Sequence, residues 1–227
     1  MICLKNKIAF IHIPKCGGTS VESALFDLEG YTGSKNFFKM TDEQRDLFFV
    51  GTEEDRHHFT QKQIEIELVR LGEDLSKWRF LSLVRNPFDR AVSEYFYQLA
   101  TQPKLRDRAN YVTATKAIES GAIWGNRWKH HSRSAREFIN GESEVKILRL
   151  ESAGVEFPKI IKEWTGKDVV LPVVNSSKKD RPHELSQGAR LMIVQSWAED
   201  FKFLDYPIEG EEEMKSGWEK YVEYLNE

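Results

Sequence analysis

Apolar positions recur along this chain with two different periods. Residues 7–13 read KIAFIHI, a nearly unbroken apolar run rich in branched side chains, which predicts a strand buried on both faces as in a parallel sheet. Residues 14–18 form a glycine-containing loop, after which Val21, Ala24, Leu25 and Leu28 return at the spacing of one helical face. RFLSLV at 79–84 predicts a second buried strand, followed by Pro87 and a helical stripe of Ala91, Val92, Tyr95, Phe96 and Leu99. VKILRL at 145–150 predicts a third strand with a helix behind it over 156–165, and 167–171 is a candidate fourth strand. A loop rich in Asn, Ser and Lys covers 175–182, and helices are expected over 186–200 and 213–225.

Strands alternating with helices predict an α/β class, with a mostly parallel sheet flanked by helices. Residues 31–76 and 101–144 break that rhythm and read as mainly helical insertions over the sheet's carboxyl edge. A length of 227 residues suits one domain spanning 1–227. With 40% hydrophobic and 30% charged residues the composition is that of an ordinary globular protein. The formal net charge of -3 gives no global basic field, so nucleic acid is not the expected partner. No long apolar run exists, and neither a signal peptide nor a membrane span is expected. Cys3 and Cys16 are too few for a disulfide framework, which points to a reducing cytoplasm.

The chemistry starts in the loop. IAFIHIPKCGGTSVESAL sets strand, loop and helix in direct succession. A helix N-terminus offers unpaired N–H groups and the positive end of the dipole. Gly17 and Gly18 let the backbone approach an anion closely, Thr19 and Ser20 add hydroxyls, and Lys15 adds a cation. Thr19-x-x-Glu22 is also the pattern of a capping box, which would explain those two residues without a ligand. The nucleoside-triphosphate loop needs Lys then Ser or Thr after its last glycine, the hydroxyl binding Mg²⁺. Here Lys15 precedes the glycines and no G-K-[ST] exists, so the loop suits a phosphate handled without metal. Cys16 has no arginine at the spacing a phosphatase loop needs and reads as a small loop residue.

After the second strand comes VRNPFDRAVSEYF, 84–96. Arg85 ends the strand, Pro87 suits the first turn of a helix, and Ser93 lies inside that helix. Arg85 and Ser93 together suit a second phosphate, because arginine matches phosphate oxygens with a fork of donors. The alternative is an Arg85–Asp89 ion pair with Ser93 on a polar helix face. Taken together, PKCGGTS and VRNPFDRAVSEY resemble the paired signatures of sulfotransferases that use 3′-phosphoadenosine-5′-phosphosulfate (PAPS), most closely the carbohydrate-type members and their bacterial relatives. His58-Phe59-Thr60, Ile147 to Glu151, Asn175-Ser176-Ser177 and Asp200 to Tyr206 resemble later segments of that family, in the same order. The resemblance implies that Lys15, Cys16, Gly17, Gly18, Thr19 and Ser20 hold the 5′-phosphosulfate. It implies that Arg85 and Ser93 hold the 3′-phosphate, and that Ser177 and Lys178 touch the nucleotide. The product would be adenosine 3′,5′-bisphosphate (PAP).

Sulfuryl transfer needs positioning, fixed positive charge at the leaving oxygen and a base for the acceptor hydroxyl. Lys15 suits the leaving oxygen. Histidine suits the base, and the His-x-Thr resemblance favours His58 over His57, with Glu53, Glu54 and Asp55 just upstream. WGNRWKHHSRSAR, 124–136, sets Trp124, Arg127, Trp128 and Lys129 together, a mixture suited to an anionic or sugar acceptor and equally to a solvated basic helix face. The resemblance implies a saccharide hydroxyl as acceptor. His130 and His131 lack a third ligand at metal spacing in the sequence. Two other readings stay open: a small-molecule or nucleoside kinase of related fold, and a catalytically inactive PAP-binding module.

Overall fold

The computed structural model describes residues 1–51, 56–125, 129–174 and 184–208. The loop at 175–182 and the helix expected over 213–225 lie outside the described residues. In chain order the elements are β1 (Ile2–Cys3), β2 (Ile8–Ile11), α1 (Gly18–Leu28), α2 (Asp42–Asp46), α3 (Gln61–Arg70), β3 (Arg79–Val84), α4 (Pro87–Thr101), α5 (Ala114–Glu119), α6 (Ala135–Phe138), β4 (Val145–Arg149), α7 (Ala153–Thr165), α8 (Gln187–Ser196) and α9 (Ala198–Leu204). Short 3₁₀ turns fill the intervals, among them Arg56–His58. The chain groups into two compact units, Met1–Arg85 with Ala135–Asp180, and Asn86–Ser134 with Arg181–Glu227.

The first unit holds the sheet, whose four described strands run in the order β1-β2-β3-β4. β2 pairs with β3 in parallel, Ile8 opposite Arg79, and β3 pairs with β4 in parallel, Val84 opposite Arg149. Every residue of β2 is buried and all but the first of β3. That is why both strands read as continuous apolar runs. β4 is half-exposed because it is the outer strand. β1, two residues antiparallel to β2, is too short to leave a periodic signal. The architecture is thus the α/β class expected, a mostly parallel sheet with helices between its strands.

Three details correct the sequence reading. Residues 167–171 form no strand. Gly166 closes α7 at φ 71°, and Val170 is 82% exposed, so the run has no layer to cover it. α7 begins at Ala153, ahead of the expected 156. The helix expected over 186–200 is two helices, broken at Trp197 (φ -132°, ψ 36°). That indole is 1% exposed and donates Nε1–H to the Ser132 carbonyl at 2.8 Å. Anchoring it outweighs one more helical turn.

The insertion at 31–76 is helical as expected, and two threonines define its helices. Thr41 and Thr60 each complete a capping box, with Gln44 and Gln63 respectively. Such a cap is worth about 1 kcal/mol. α3 also anchors the approach to β4. Glu65 accepts the N–H groups of Ser143 at 2.9 Å and Glu142 at 3.1 Å, and Gln61 donates to the Ser143 carbonyl at 2.7 Å. In the second unit, α4 starts on the Asn86 side chain, which accepts Phe88 N–H at 2.9 Å, with Pro87 in the first turn. Arg90 is buried there against Asp200 at 3.4 Å, with its guanidinium 4.3 Å from the Trp197 ring centre.

Candidate functional site

The site is built where β2 ends. Residues 12–17 turn out of the strand and lead directly into α1. Lys15 and Gly17 both take left-handed backbone, at φ 67° and 82°. The Cys16 N–H between them reaches the Ile13 carbonyl at 3.4 Å, so among the described residues the open N–H groups of the loop begin at Gly17. Gly17 has a second reason to lack a side chain, because a Cβ there would lie 2.6 Å from Leu150 Cδ1. A Cβ on Gly18 would collide with the His12 imidazole.

The capping box suggested by Thr19 and Glu22 does not form. The N-cap of α1 is Gly17, with no side-chain cap bond. Glu22 turns instead to His12, whose Nδ1 lies 2.8 Å from Glu22 Oε1, both residues being buried. Among the described residues no acceptor takes the N–H of Gly17, Gly18 or Thr19, and no partner engages the Thr19 hydroxyl. Ser20 N–H reaches the Gly17 carbonyl at 3.0 Å, and Ser20 Oγ accepts Val174 N–H at 3.2 Å. Cys16 is buried inside the loop, and Cys3 is buried in β1. Burial pushes the Cys3 thiol far above its ordinary range.

His58 stands on the same strand end. Its Nδ1 is 2.9 Å from the His12 carbonyl. A carbonyl only accepts, so Nδ1 carries the hydrogen. The His12 and His58 rings are 4.6 Å apart, and His57 stacks on Phe37 at 4.3 Å. Thr60, capping α3, fixes the turn that carries both histidines. Arg85 follows β3 directly. It is half-buried, and among the described residues its side chain has no ion-pair or hydrogen-bond partner, so the Arg85–Asp89 pair is not present. His12 was not singled out in the sequence, and Glu22 was read only as a capping-box partner of Thr19. The available signal was a polar ring inside an otherwise apolar run, just before the loop.

The second unit carries the remaining expected residues. Ser93 is half-buried in α4, and no described residue hydrogen-bonds its hydroxyl. Trp124 is half-buried with its ring 4.7 Å from that of Trp197 at 72°. Lys129 opens the 3₁₀ turn Lys129–Ser132. His131 Nδ1 lies 2.7 Å from Glu94 in a buried pair. Glu53, Glu54, Asp55, Arg127, Trp128, Ser177 and Lys178 lie outside the described residues.

A parallel strand that ends in a glycine loop and opens a helix, with a cation in the loop, defines an α/β protein of the phosphate-loop type. Within that class the chain belongs to the sulfotransferase family, whose family profile matches residues 1–146. The matched segment includes the loop, His58, Arg85 and Ser93. No curated protein and no solved structure gives a significant match. Among the described residues no helix is long and apolar enough to cross a membrane.

Proposed function

We propose that this chain transfers the sulfuryl group of PAPS to an acceptor hydroxyl on a saccharide. The observation that carries this reading is the loop. It joins N–H groups at Gly17, Gly18 and Thr19, which no acceptor takes among the described residues, to the cation of Lys15 at the end of a buried parallel strand. That donor set fits a phosphosulfate, with Cys16 and Ser20 completing the loop. Arg85 has no partner of its own among the described residues, which fits a second phosphate, and the sequence motif adds Ser93 to that role. Ser177 and Lys178 are the further nucleotide contacts in this reading, and Trp124, Arg127, Trp128 and Lys129 are its acceptor contacts, both taken from the sequence.

The donor, when bound, supplies a sulfur whose bond to the leaving phosphate oxygen breaks as the acceptor oxygen bonds to it, the electron pair departing with PAP. Lys15 and the loop N–H groups are fixed in place before reaction and stabilise charge on the leaving oxygen. His58 holds its hydrogen on Nδ1, toward the His12 carbonyl, so in the neutral ring Nε2 carries the basic lone pair. That atom takes the hydroxyl proton. No hydroxyl follows a lysine as in the Mg²⁺-binding motif, so transfer is expected to survive EDTA.

The direct test is conversion of PAPS to PAP across a panel of saccharide, phenol and lipid-like hydroxyls, with ATP and Mg²⁺ as the rival donor. His58→Ala is expected to lower turnover about a hundredfold while leaving PAP affinity nearly unchanged. Arg85→Ala should narrow the preference for PAP over AMP. Transfer from ATP alone, or equal affinity of the wild type for PAP and AMP, overturns the assignment. A neutral phenol that outperforms every saccharide overturns the acceptor class only.

A further inference from the structure

We propose that Glu22 and His12 act as one positioning pair that couples the anion loop to the base. This inference rests on the sulfuryl-transfer reading above. The pair closes the loop from both sides, His12 following β2 and Glu22 sitting in α1, with Nδ1 2.8 Å from Oε1. His12 is 8% and Glu22 4% exposed, so this is a buried contact. Glu22 holds it in place of the capping role its spacing from Thr19 would allow.

His12 meets the site in three ways. Its ring rests on Gly18, where no side chain fits, and so sets the height of the first helical N–H groups. Its carbonyl accepts His58 Nδ1–H at 2.9 Å, which selects the tautomer with a lone pair on Nε2. Its ring lies 4.6 Å from that of His58. A carboxylate behind a histidine both orients the ring and favours positive charge nearby. The negative charge of Glu22, one imidazole away from His58, therefore stabilises His58 as it gains the acceptor proton. No proton moves onto His12 or Glu22 in this step.

Glu22→Gln tests the pair, because the amide oxygen still accepts from Nδ1–H while the charge is gone. Turnover is expected to fall about tenfold to a hundredfold, as for other carboxylates that orient a histidine. PAP affinity and the melting temperature should stay close to wild type. Glu22→Asp, which keeps the charge, should recover part of the loss. A second readout needs no turnover: ring-nitrogen NMR of the wild type should show both His12 and His58 protonated at Nδ1, with both signals moving on addition of PAP. If Glu22→Gln does not fold, Glu22→Asp carries the same comparison of kcat against PAP affinity. Unchanged turnover, or parallel losses of turnover, PAP affinity and melting temperature, overturns the pair and leaves it a core contact. A wild type that binds PAP in the NMR titration yet transfers nothing from PAPS overturns the sulfuryl-transfer reading as well, which separates the two failures.

Discussion

Lys15 holds a left-handed backbone that costs a non-glycine residue about 1–2 kcal/mol. A chain selected for stability alone would favour glycine at that position. Lys15→Gly separates the two roles of the residue. It relieves the backbone cost while adding unfolded-state freedom of similar size, about 1 kcal/mol, so the melting temperature should hardly move. Turnover should fall by about 10²–10³, the usual loss when one fixed donor to a developing anion is removed. Steady-state kinetics beside a thermal melt checks this, and a variant that keeps its turnover removes Lys15 from the chemistry. Gly18 is constrained differently. Its requirement comes from His12, a neighbour six positions back, and no local propensity encodes that contact.

At the scale of elements, α3 holds the approach to β4 through Glu65 and Gln61. Burial pushes the Glu65 carboxyl up, but the N–H groups of Ser143 and Glu142 and the amide of Gln61 outweigh it and hold the group below the ordinary glutamate value of 4.5. A group lowered in the folded state stabilises the fold above its unfolded value and loses that contribution as pH falls through the folded one. Glu65→Gln should therefore cost about 1–3 kcal/mol at neutral pH, with the gap to wild type closing as pH drops below about 4.5. Urea melts at pH 7 and in the acid range measure it, and a gap independent of pH would remove the charge from the account. The elements themselves were legible where burial is complete. β2 and β3 read as strands because both of their faces are covered. The misread run at 167–171 shows the limit of that logic, because apolar composition does not reveal whether a neighbour will cover it. The succession of strand, glycine loop and helix was legible from residue types alone. The Glu22–His12 contact was not, because a capping pattern and a buried ion-pair partner look the same along a sequence.

At the scale of the whole chain, a net charge of -3 gives a polyanionic nucleotide no general attraction. In the proposed reading, affinity comes from local groups: the N–H donors of the α1 terminus, Lys15 and Arg85. Attraction from exposed charge is screened over about 8 Å at physiological ionic strength, whereas backbone donors in a formed loop are much less affected. PAP binding should accordingly weaken with added salt yet persist, and excess EDTA should leave it unchanged. A ligand that binds only the folded state at 100 times its Kd adds about 2.7 kcal/mol. For a chain of 227 residues that corresponds to a rise in melting temperature of about 5–10 °C. AMP at the same concentration should give a clearly smaller rise, since it leaves Arg85 without a phosphate. Thermal melts with PAP, with AMP, and with PAP plus EDTA decide the matter in one series. If PAP stabilises the chain only when Mg²⁺ is present, the metal-free reading of the loop fails and the kinase alternative takes its place.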